Sequence, residues 1–265
     1  MLDDNVVVIT GASKGIGAEL ARQLAARGAK LVLAARNLSE LEAVAEECRK
    51  SGAPVVTVKA DVALERDCQA VIAGAVLAFG RVGTLVNNAG ISMWARFEEI
   101  RDVSVLERIM QVNYMGAVYC TRHALPYLRE SRGRLVGISS LAGRTGVPTR
   151  TGYAASKHAM TGFFDSLRIE LEGSGVSVTM IYPGFVATGI RENATGPDGM
   201  PILVSPVREG AVMSAAECAR RIARAIERRD REVVMTARGR MGLWLKLLAP
   251  SLVDRIARRA IERGQ

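Results

Sequence analysis

Tyr153 and Lys157 stand four positions apart in the segment YAASK, residues 153–157. If this segment is helical, positions i and i+4 lie on one face, so the phenol and the ammonium reach the same space. A positive charge one helical turn away favours the ionised form of a phenol over its neutral form. The pair is therefore a candidate for proton transfer, provided that other residues bring a reacting group to it.

A glycine-rich turn, TGASKGIG at residues 10–17, follows the first apolar run of the chain. Glycines at positions 11, 15 and 17 permit a tight turn and let the backbone approach a pyrophosphate, whose charge the following helix N-terminus favours. The spacing Gly-x-x-x-Gly-x-Gly differs from both the Gly-x-Gly-x-x-Gly form and the Walker loop. The turn predicts a dinucleotide site, and a plain tight turn is the alternative.

The end of the second apolar run reads Ala34-Ala35-Arg36-Asn37 and has no carboxylate. Proteins that select NAD place an acidic residue there for the 2′-hydroxyl of the adenosine ribose. Arg36 and Lys14 instead suit a 2′-phosphate, because a guanidinium and an ammonium are complementary to it. We therefore predict NADP(H) as the cofactor, and the alternative is that both cations are solvated surface charges.

The elements that must position these groups are short apolar runs alternating with helical patterns. The runs are residues 5–10, 30–35, 54–60, 84–89, 133–139, 177–183 and 232–237, and helical patterns cover 16–28, 38–51, 64–79, 101–130, 154–172 and 214–229. Continuous apolar strands separated by helices are typical of a parallel sheet that is buried on both faces. The sequence predicts an α/β fold, a Rossmann-like doubly wound parallel sheet of about seven strands with helices on both faces. Ser39 with Glu42 resembles a capping box for the second helix.

We expect one catalytic domain over residues 1–237, followed by an extension over 238–265. Residues 189–213 are rich in Gly and Pro and too long for an ordinary connection, which predicts a substrate lid. The extension reads as a basic amphipathic helix or hairpin that is broken near Pro250. Two interpretations of it stay open: docking onto protein, which we favour, and lying on an anionic membrane.

The net charge of +9 is concentrated near the C-terminus, since residues 208–265 hold 14 Arg or Lys against 7 Asp or Glu. Basic and aromatic residues do not interleave, so no nucleic-acid partner is expected. Four cysteines are widely separated and the two histidines lack metal-ligand spacing, which predicts a reducing compartment and no metal. The acidic start and the absence of a long apolar run predict a cytoplasmic chain, with membrane association through the extension left open.

Six motifs stand in an order that resembles the short-chain dehydrogenase/reductase family. They are TGASKGIG (10–17), NNAG (87–90), Asn113 in QVNYMGA, Ser140 in GISSLAG, YAASK (153–157) and PGFVAT (183–188). The resemblance spans residues 1 to about 190. It implies an NADP(H)-preferring carbonyl reductase, or the reverse alcohol dehydrogenase.

The resemblance implies roles for four catalytic residues. Tyr153 is the acid/base, because hydride transfer between a nicotinamide and a carbonyl carbon creates or consumes an alkoxide. Lys157 supplies the neighbouring charge and holds the nicotinamide ribose. Ser140, which lies 13 residues before Tyr153, hydrogen-bonds the substrate oxygen. Asn113 positions water for a proton relay to Lys157.

The resemblance and the glycine turn also imply a set of cofactor-binding residues. Besides Tyr153 and Lys157 they are Gly11, Ser13, Lys14, Gly15, Ile16, Gly17, Arg36, Asn37, Asp61, Val62, Asn87, Ala89, Gly90, Pro183, Gly184, Val186 and Thr188. Loops beyond the carboxyl ends of the strands are expected to form the substrate pocket. Candidates for its walls are Met93, Trp94, Leu141, Thr145, Val147 and Phe185. These side chains are mostly apolar, which favours a lipophilic ketone or secondary alcohol, and ordinary packing is the alternative.

Two other functions remain open at this point. A 3-oxoacyl-carrier-protein reductase would share the catalytic set and suit a basic surface, although such enzymes generally lack the extension. A non-catalytic NADP(H)-binding scaffold or sensor would be expected to have lost Tyr153 or Lys157, and both are present. The resemblance further implies a homodimer or homotetramer that forms through the helices at 101–130 and 154–172.

Overall fold

The strands lie close to where the apolar runs place them. The computed structural model describes residues 2–190, 193–203 and 212–262. Its strands are β1 (Val6–Thr10), β2 (Lys30–Ala35), β3 (Val55–Lys59), β4 (Thr84–Asn87), β5 (Arg134–Ile138), β6 (Ser177–Tyr182), β7 (Val186–Ala187), β8 (Met213–Ser214) and β9 (Glu232–Val234). All except β7 and β8, which pair with each other, form one parallel sheet in the order β3-β2-β1-β4-β5-β6-β9. The predicted seven-stranded doubly wound sheet is confirmed.

Helices connect the strands and cover both faces of the sheet. They are α1 (Gly15–Ala25), α2 (Leu38–Lys50), α3 (Glu65–Phe79), α4 (Ser104–Met110), α5 (Gly116–Glu130), α6 (Thr151–Glu170), α7 (Ala215–Arg228), α8 (Ala237–Leu248) and α9 (Pro250–Glu262). A π-helical turn, Gln111–Met115, joins α4 to α5. Short 3-10 turns occur at Phe97–Glu99 and Leu141–Gly143.

The core has two layers because successive residues of a strand point to opposite faces. Val7 and Ile9 of β1 pack in the layer that holds α1, α2 and α7. Val6 and Val8 pack in the opposite layer, among buried residues of α3, α5 and α6. This two-sided burial is why the strand residues are continuously apolar.

The chain reverses its winding direction at β1, which lies between β2 and β4. Successive crossovers run outward in opposite directions from this point, and the loops separate at the carboxyl ends of the strands. Ligand clefts of open parallel sheets lie at such a switch point. The topology therefore places the candidate site beyond the carboxyl ends of β1 and β4.

Two local predictions need correction. The capping box of Ser39 and Glu42 is wrong, since α2 begins earlier and Asn37 caps it by accepting a hydrogen bond from the Glu40 amide. The last strand ends at Val234 and not at residue 237, because Thr236 already caps α8 by accepting from the Gly239 amide.

The predicted lid over 189–213 is described only in part, and residues 191, 192 and 204–211 lie outside the described residues. Thr195 runs beside the segment at 92–94: its amide donates to the Ser92 carbonyl, and its carbonyl accepts from the Trp94 amide, both at 2.9 Å. In the ranges that the structure describes, no helix is long and apolar enough to span a bilayer.

Candidate active site

A cleft of ≈ 770 Å³ lies at the carboxyl edge of the sheet. The glycine turn, the residues that follow β2 to β6 and the start of α6 form its walls. One continuous cleft therefore joins the glycine turn to Tyr153 and Lys157. Its volume falls within the range of ligand pockets, about 300–1,000 Å³.

The glycine turn makes a close backbone cradle at one end of the cleft. Gly11 and Gly15 have φ values of +65° and +55°, a region that side chains with a Cβ seldom adopt. A Cβ on Gly17 would collide with the Gly11 carbonyl oxygen and lie 2.6 Å from the Asn88 amide nitrogen. Gly17 itself is buried and does not line the cleft, so it acts by allowing the turn to pack closely.

Asn88 holds the glycine turn in place, a role that the sequence pattern did not indicate. Its side-chain nitrogen donates to the carbonyl oxygens of Thr10 and Gly11 at 2.9 and 3.0 Å. The Thr10 hydroxyl in turn accepts from the Asn88 and Ala89 amides. Asn87, predicted to bind cofactor, lies inside the protein and donates its side-chain amide to Thr121 at 3.2 Å. Asn88, and not Asn87, therefore lines the cleft.

A carboxylate lies beside the predicted 2′-phosphate pair. Lys14 Nζ and Glu40 Oε1 are 2.7 Å apart, and both residues line the cleft with Arg36 and Asn37. Arg36 is exposed at the end of β2. Glu40 was not predicted. The sequence feature that could have indicated Glu40 is its position in the first turn of the helix that follows Arg36.

The predicted adenine-binding pair follows β3. Asp61 contacts neighbouring elements: one carboxylate oxygen accepts from the Ala63 amide at 3.0 Å and the other from Arg108 at 3.2 Å. Val62 is buried, and Gly116 passes so close that a Cβ there would lie 2.8 Å from a Val62 methyl. Both residues line the cleft, fixed in position by these contacts.

Tyr153 and Lys157 both lie in the first half of α6 and face the cleft. Lys157 Nζ is 5.8 Å from the centroid of the Tyr153 ring and donates to the Ile138 carbonyl at 2.8 Å. Burial lowers the pKa of Lys157 below the ordinary lysine value, the nearby Tyr153 opposes this, and the Arg150 charge adds to it. The ammonium is therefore held between a backbone carbonyl and an aromatic ring at the cleft wall.

The two neighbouring serines have different environments. Ser139 is bound to α6, because its hydroxyl donates to the Lys157 carbonyl at 3.2 Å and contacts the Thr161 hydroxyl. The Ser140 hydroxyl oxygen accepts from the Ala142 amide at 3.1 Å, which leaves its proton available to another acceptor. Both line the cleft.

Asn113 lies beneath the site, in the π-helical turn. Its side-chain oxygen accepts from the Ile91 amide at 2.8 Å, and its nitrogen donates to the Ile91 carbonyl and the Ser156 hydroxyl, each at 2.9 Å. Ser156 donates in turn to the Tyr153 carbonyl. Asn113 is buried and does not line the cleft, so it connects the segment after β4 to the helix that carries Tyr153.

Arg150 is a cleft residue that the motifs did not indicate. Its guanidinium carbon is 4.4 Å from the Tyr153 ring centroid and 5.6 and 5.9 Å from the centroids of Trp94 and Phe185. It also donates to the Ser92 hydroxyl at 2.5 Å. Its position three residues before Tyr153, just ahead of α6, was the available signal.

Most residues of the predicted set come together in this cleft. All of the predicted cofactor-binding residues line it except Gly17 and Asn87, and Ser140, Tyr153 and Lys157 line it as well. Pro183 to Val186 and Thr188 form the wall beyond β6. The described residues contain no group of three or more His, Cys, Asp or Glu side chains that could hold a metal ion.

Most of the predicted substrate-wall residues are not part of the cleft surface, and their role stays a prediction. Of the six candidates only Phe185 lines the cleft; Met93, Trp94, Leu141, Thr145 and Val147 do not. Met93 is wholly buried in a small core cluster with Ile109 and Ala142. Val147 faces a separate cavity against α9. The residues that line the cleft and were not predicted include Ile91, Val112, Ile190, Asn193 and Pro201.

The cleft fits a dinucleotide. The glycine turn and its supporting Asn88 form a cradle that a Cβ would fill, and α1 begins at the turn. No side-chain cap occupies the N-terminus of α1 at Lys14, so its backbone amides are available to phosphate oxygens. A glycine turn on the first strand of a doubly wound parallel sheet defines the dinucleotide-binding class of α/β proteins.

Comparison with known proteins specifies the class. The family model described as short chain dehydrogenase matches residues 5–198. The chain is 39% identical over 253 residues to an 11-beta-hydroxysteroid dehydrogenase-like 4A of Arabidopsis thaliana, covering 95% of this chain and 83% of that protein. The chain belongs to the short-chain dehydrogenase/reductase family, and its similarity to the plant protein covers more of the chain than the family model does.

Two solved structures share the fold. One is a short chain dehydrogenase/reductase from Burkholderia phymatum in complex with NAD, with a TM-score of 0.85, 28% identity and 95% of both chains covered. The other is an alcohol dehydrogenase from the archaeon Thermococcus sibiricus complexed with 5-hydroxy-NADP, with a TM-score of 0.74, 26% identity and coverage of 86% and 94%. The protein is thus an oxidoreductase of this family, and of the two structural neighbours one holds NAD and the other 5-hydroxy-NADP.

Proposed function

We propose that the protein is an NADP(H)-dependent oxidoreductase that interconverts a lipophilic ketone and its secondary alcohol, with Tyr153 as acid/base. The observation that carries the proposal is the cleft itself, which Ser140, Tyr153 and Lys157 line together with the glycine turn. A proton-transferring group beside a dinucleotide cradle is the arrangement that carbonyl reduction requires.

The cofactor would lie along the cleft from the glycine turn to the wall beyond β6. Backbone amides at the start of α1 would hold the pyrophosphate, and Asp61 and Val62 the adenine. Arg36 and Lys14 would bind the 2′-phosphate, which is the basis for proposing NADP(H). When bound, the nicotinamide supplies or accepts the hydride.

Three side chains would handle the substrate oxygen and its proton. Ser140 donates a hydrogen bond to that oxygen, which strengthens as negative charge develops on it. Tyr153 gives a proton to the oxygen during reduction and removes it during oxidation. The Lys157 ammonium, 5.8 Å from the Tyr153 ring, stabilises the phenolate that remains.

Asn113 would act differently from the water relay that the resemblance implies. Its side-chain nitrogen and oxygen are bound to Ile91 and Ser156, and Ser156 is bound to the Tyr153 carbonyl. We assign Asn113 as a positioning residue that fixes α6 against the segment after β4. A water molecule that it also orients is compatible with the second lone pair of its oxygen.

The substrate proposal rests on the apolar side chains near Tyr153. Phe185, whose ring centroid is 5.9 Å from the Arg150 guanidinium carbon, lines the cleft together with Ile190 and Pro201, and these side chains would exclude water from the reacting carbonyl. The name of the Arabidopsis relative includes hydroxysteroid dehydrogenase, which agrees with a lipophilic ketone or secondary alcohol.

We also propose a homodimer or homotetramer that forms through residues 101–130 and 154–172. An exposed apolar side chain, Ile169 of α6, supports an interface on this face. Gel filtration with light scattering tests this proposal. Ile169→Asp should lower the mass of the assembly. A wild-type protein that already has the mass of a monomer, like the variant, would contradict the proposal.

The test of the enzymatic proposal is Tyr153→Phe, which removes only the phenolic oxygen. Turnover of a panel of ketones (steroids, retinoids, acetoacetyl thioesters and small ketones) should fall by about 10²–10⁴. NADPH affinity should change by less than about twofold, because Tyr153 is one of many residues that line the cofactor cleft and its hydroxyl acts chiefly in the reaction. Tyr127→Phe on α5 is the matched control and should leave turnover unchanged. Retained turnover in the Tyr153 variant would contradict the assignment.

A further inference from the structure

The chain ends in two helices, α8 and α9, that turn at Ala249 and Pro250. We call residues 237–262 the C-terminal hairpin. No residue of α8 is buried, although the helix is rich in leucine. A soluble helix normally hides its apolar face, so the exposed side chains need an explanation.

The exposed apolar side chains of α8 form one stripe. Met241, Trp244 and Leu248 recur at spacings of three and four, which places them on one helix face, and Leu247 lies beside them. They are 67%, 73%, 87% and 75% exposed, respectively. Within the ranges that the structure describes, no segment covers this stripe. The stripe is therefore not packed against any described part of its own chain.

The second helix adds an apolar pair beside an arginine pair. Leu252 and Ile256 of α9 are exposed and lie one turn apart, and Arg255 and Arg259 occupy the adjoining face. Across the hairpin, six Arg or Lys oppose two acidic residues, a net charge of +4. An exposed apolar surface with a basic border matches the interface of an anionic bilayer, where apolar groups enter the acyl boundary and cations contact the headgroups.

The hairpin is anchored to the body of the protein on one side of the cleft. Lys246 Nζ donates to the Arg144 carbonyl at 2.9 Å, and Gly239 passes so close to Leu141 that a Cβ there would lie 2.8 Å from a leucine methyl. Further along, α9 faces residues 146–148 across a small cavity. Residues 141–148 lie between Ser140 and the helix of Tyr153, so the hairpin contacts the chain segment that connects these two cleft residues.

We propose that the C-terminal hairpin docks onto an anionic membrane surface through Met241, Trp244, Leu247 and Leu248. A second copy of the chain suits this surface less well, because a two-fold interface brings the same patch onto itself and would oppose two surfaces of charge +4. Anionic lipid neutralises the arginines and accepts the apolar stripe. This docking does not depend on the proposed function.

The test is flotation of the full-length protein with vesicles of phosphatidylcholine alone or mixed with phosphatidylglycerol. The wild type should float with the mixed vesicles, bind pure phosphatidylcholine at least about tenfold more weakly, and be released by high salt. The double variant Trp244→Ser, Leu248→Ser should lose at least about tenfold in affinity for mixed vesicles, since two apolar anchors are removed. The double variant Arg255→Glu, Arg259→Glu should also lose at least about tenfold, because two headgroup contacts become repulsive.

The matched control is Leu77→Ser, which removes another exposed leucine, on α3 and outside the hairpin. It should leave vesicle binding unchanged. NADPH binding and thermal melting report whether each variant is folded. Absence of wild-type binding to mixed vesicles would overturn the proposal, as would equal binding by the Trp244/Leu248 variant. A smaller assembly mass for that variant, with no vesicle binding by the wild type, would assign the surface to a second copy instead.

Discussion

Lys14 and Glu40 form an ion pair at the edge of the cleft, with 2.7 Å between Nζ and Oε1. The pair joins the glycine turn to the first turn of α2, the helix that follows Arg36. One of the two cations proposed to bind a 2′-phosphate therefore already has an anionic partner. A phosphate at this position must compete with Glu40 for Lys14 and must also approach a second negative charge.

Glu40→Gln should strengthen NADP⁺ binding. Removal of the carboxylate charge frees Lys14 for the 2′-phosphate, and we expect the Kd to fall about threefold to tenfold, since a largely exposed pair is screened by solvent. Binding of NAD⁺, which lacks that phosphate, should change by less than about twofold. Isothermal titration with both cofactors checks this without any substrate.

Glu46→Gln is the matched control for this prediction. Glu46 lies on the same helix and pairs with Arg49 away from the cleft, so its loss should leave both cofactor affinities unchanged. Weaker NADP⁺ binding by the Glu40 variant would mean that Glu40 holds Lys14 in a productive position and does not compete with the phosphate.

Lys157 should give the stability of the cofactor-free protein a pH dependence. Burial lowers its pKa below the ordinary value of 10.5, so the folded protein holds this proton less tightly than the unfolded chain. Between the two pKa values the unfolded chain binds more protons, and the free energy of unfolding therefore rises with pH through that window. Urea unfolding at about pH 7 and about pH 10, a range that ends just below 10.5, should show a smaller rise for Lys157→Met than for the wild type.

His158→Gln is a suitable control for the lysine prediction, because it lies on the same helix and outside the cleft. Its unfolding should keep the wild-type rise between the two pH values. Identical pH dependence in the wild type and the Lys157 variant would show that this lysine is not the source of the effect.

The architecture could be predicted because its signals are local. Strands buried on both faces are continuous apolar runs, and a glycine turn after the first run locates the cofactor edge. The choice between Ser139 and Ser140 came from family spacing alone. In the structure their environments differ, with Ser139 bound to α6 and Ser140 bound to the Ala142 amide.

What could not be predicted depends on contacts between distant segments. Asn87 and Asn88 are the same residue type, and the sequence does not distinguish them. Successive residues at a strand end point to opposite sides, so Asn87 enters the core and Asn88 reaches the glycine turn. The pairing of Glu40 with Lys14 joins the first turn of α2 to the glycine turn, and no local pattern encodes the approach of these two segments. The substrate candidates show the same limit: Met93 is apolar and wholly buried in a core cluster, and an apolar letter does not distinguish such packing from a pocket wall.

Gly17→Ala should abolish cofactor binding. A Cβ at this position would collide with the Gly11 carbonyl, and neither the turn nor Asn88 can move without breaking their hydrogen bonds. We expect loss of measurable NADPH binding by fluorescence titration.

Gly242→Ala in α8 is the matched helical control: a methyl group there would meet no other atom within 4 Å, so this variant should bind NADPH normally. It should also stabilise the protein by about 0.5–1 kcal/mol. Normal binding by the Gly17 variant would contradict the proposed cradle.

Asn113→Ala should lower both stability and turnover. The substitution leaves the partly buried Ile91 amide and carbonyl without their side-chain partner, at a cost of about 1–3 kcal/mol. It also removes the bond to Ser156, which bonds the Tyr153 carbonyl.

Asn113→Asp can still accept from the Ile91 amide but cannot donate to its carbonyl, so it should recover only part of the stability. If Asn113 acts by positioning α6, turnover with saturating cofactor should fall in step with this loss of order, while cofactor affinity changes little. Urea unfolding and steady-state kinetics on both variants test this, and full turnover in a destabilised Asn113→Ala protein would show that the site does not depend on this connection.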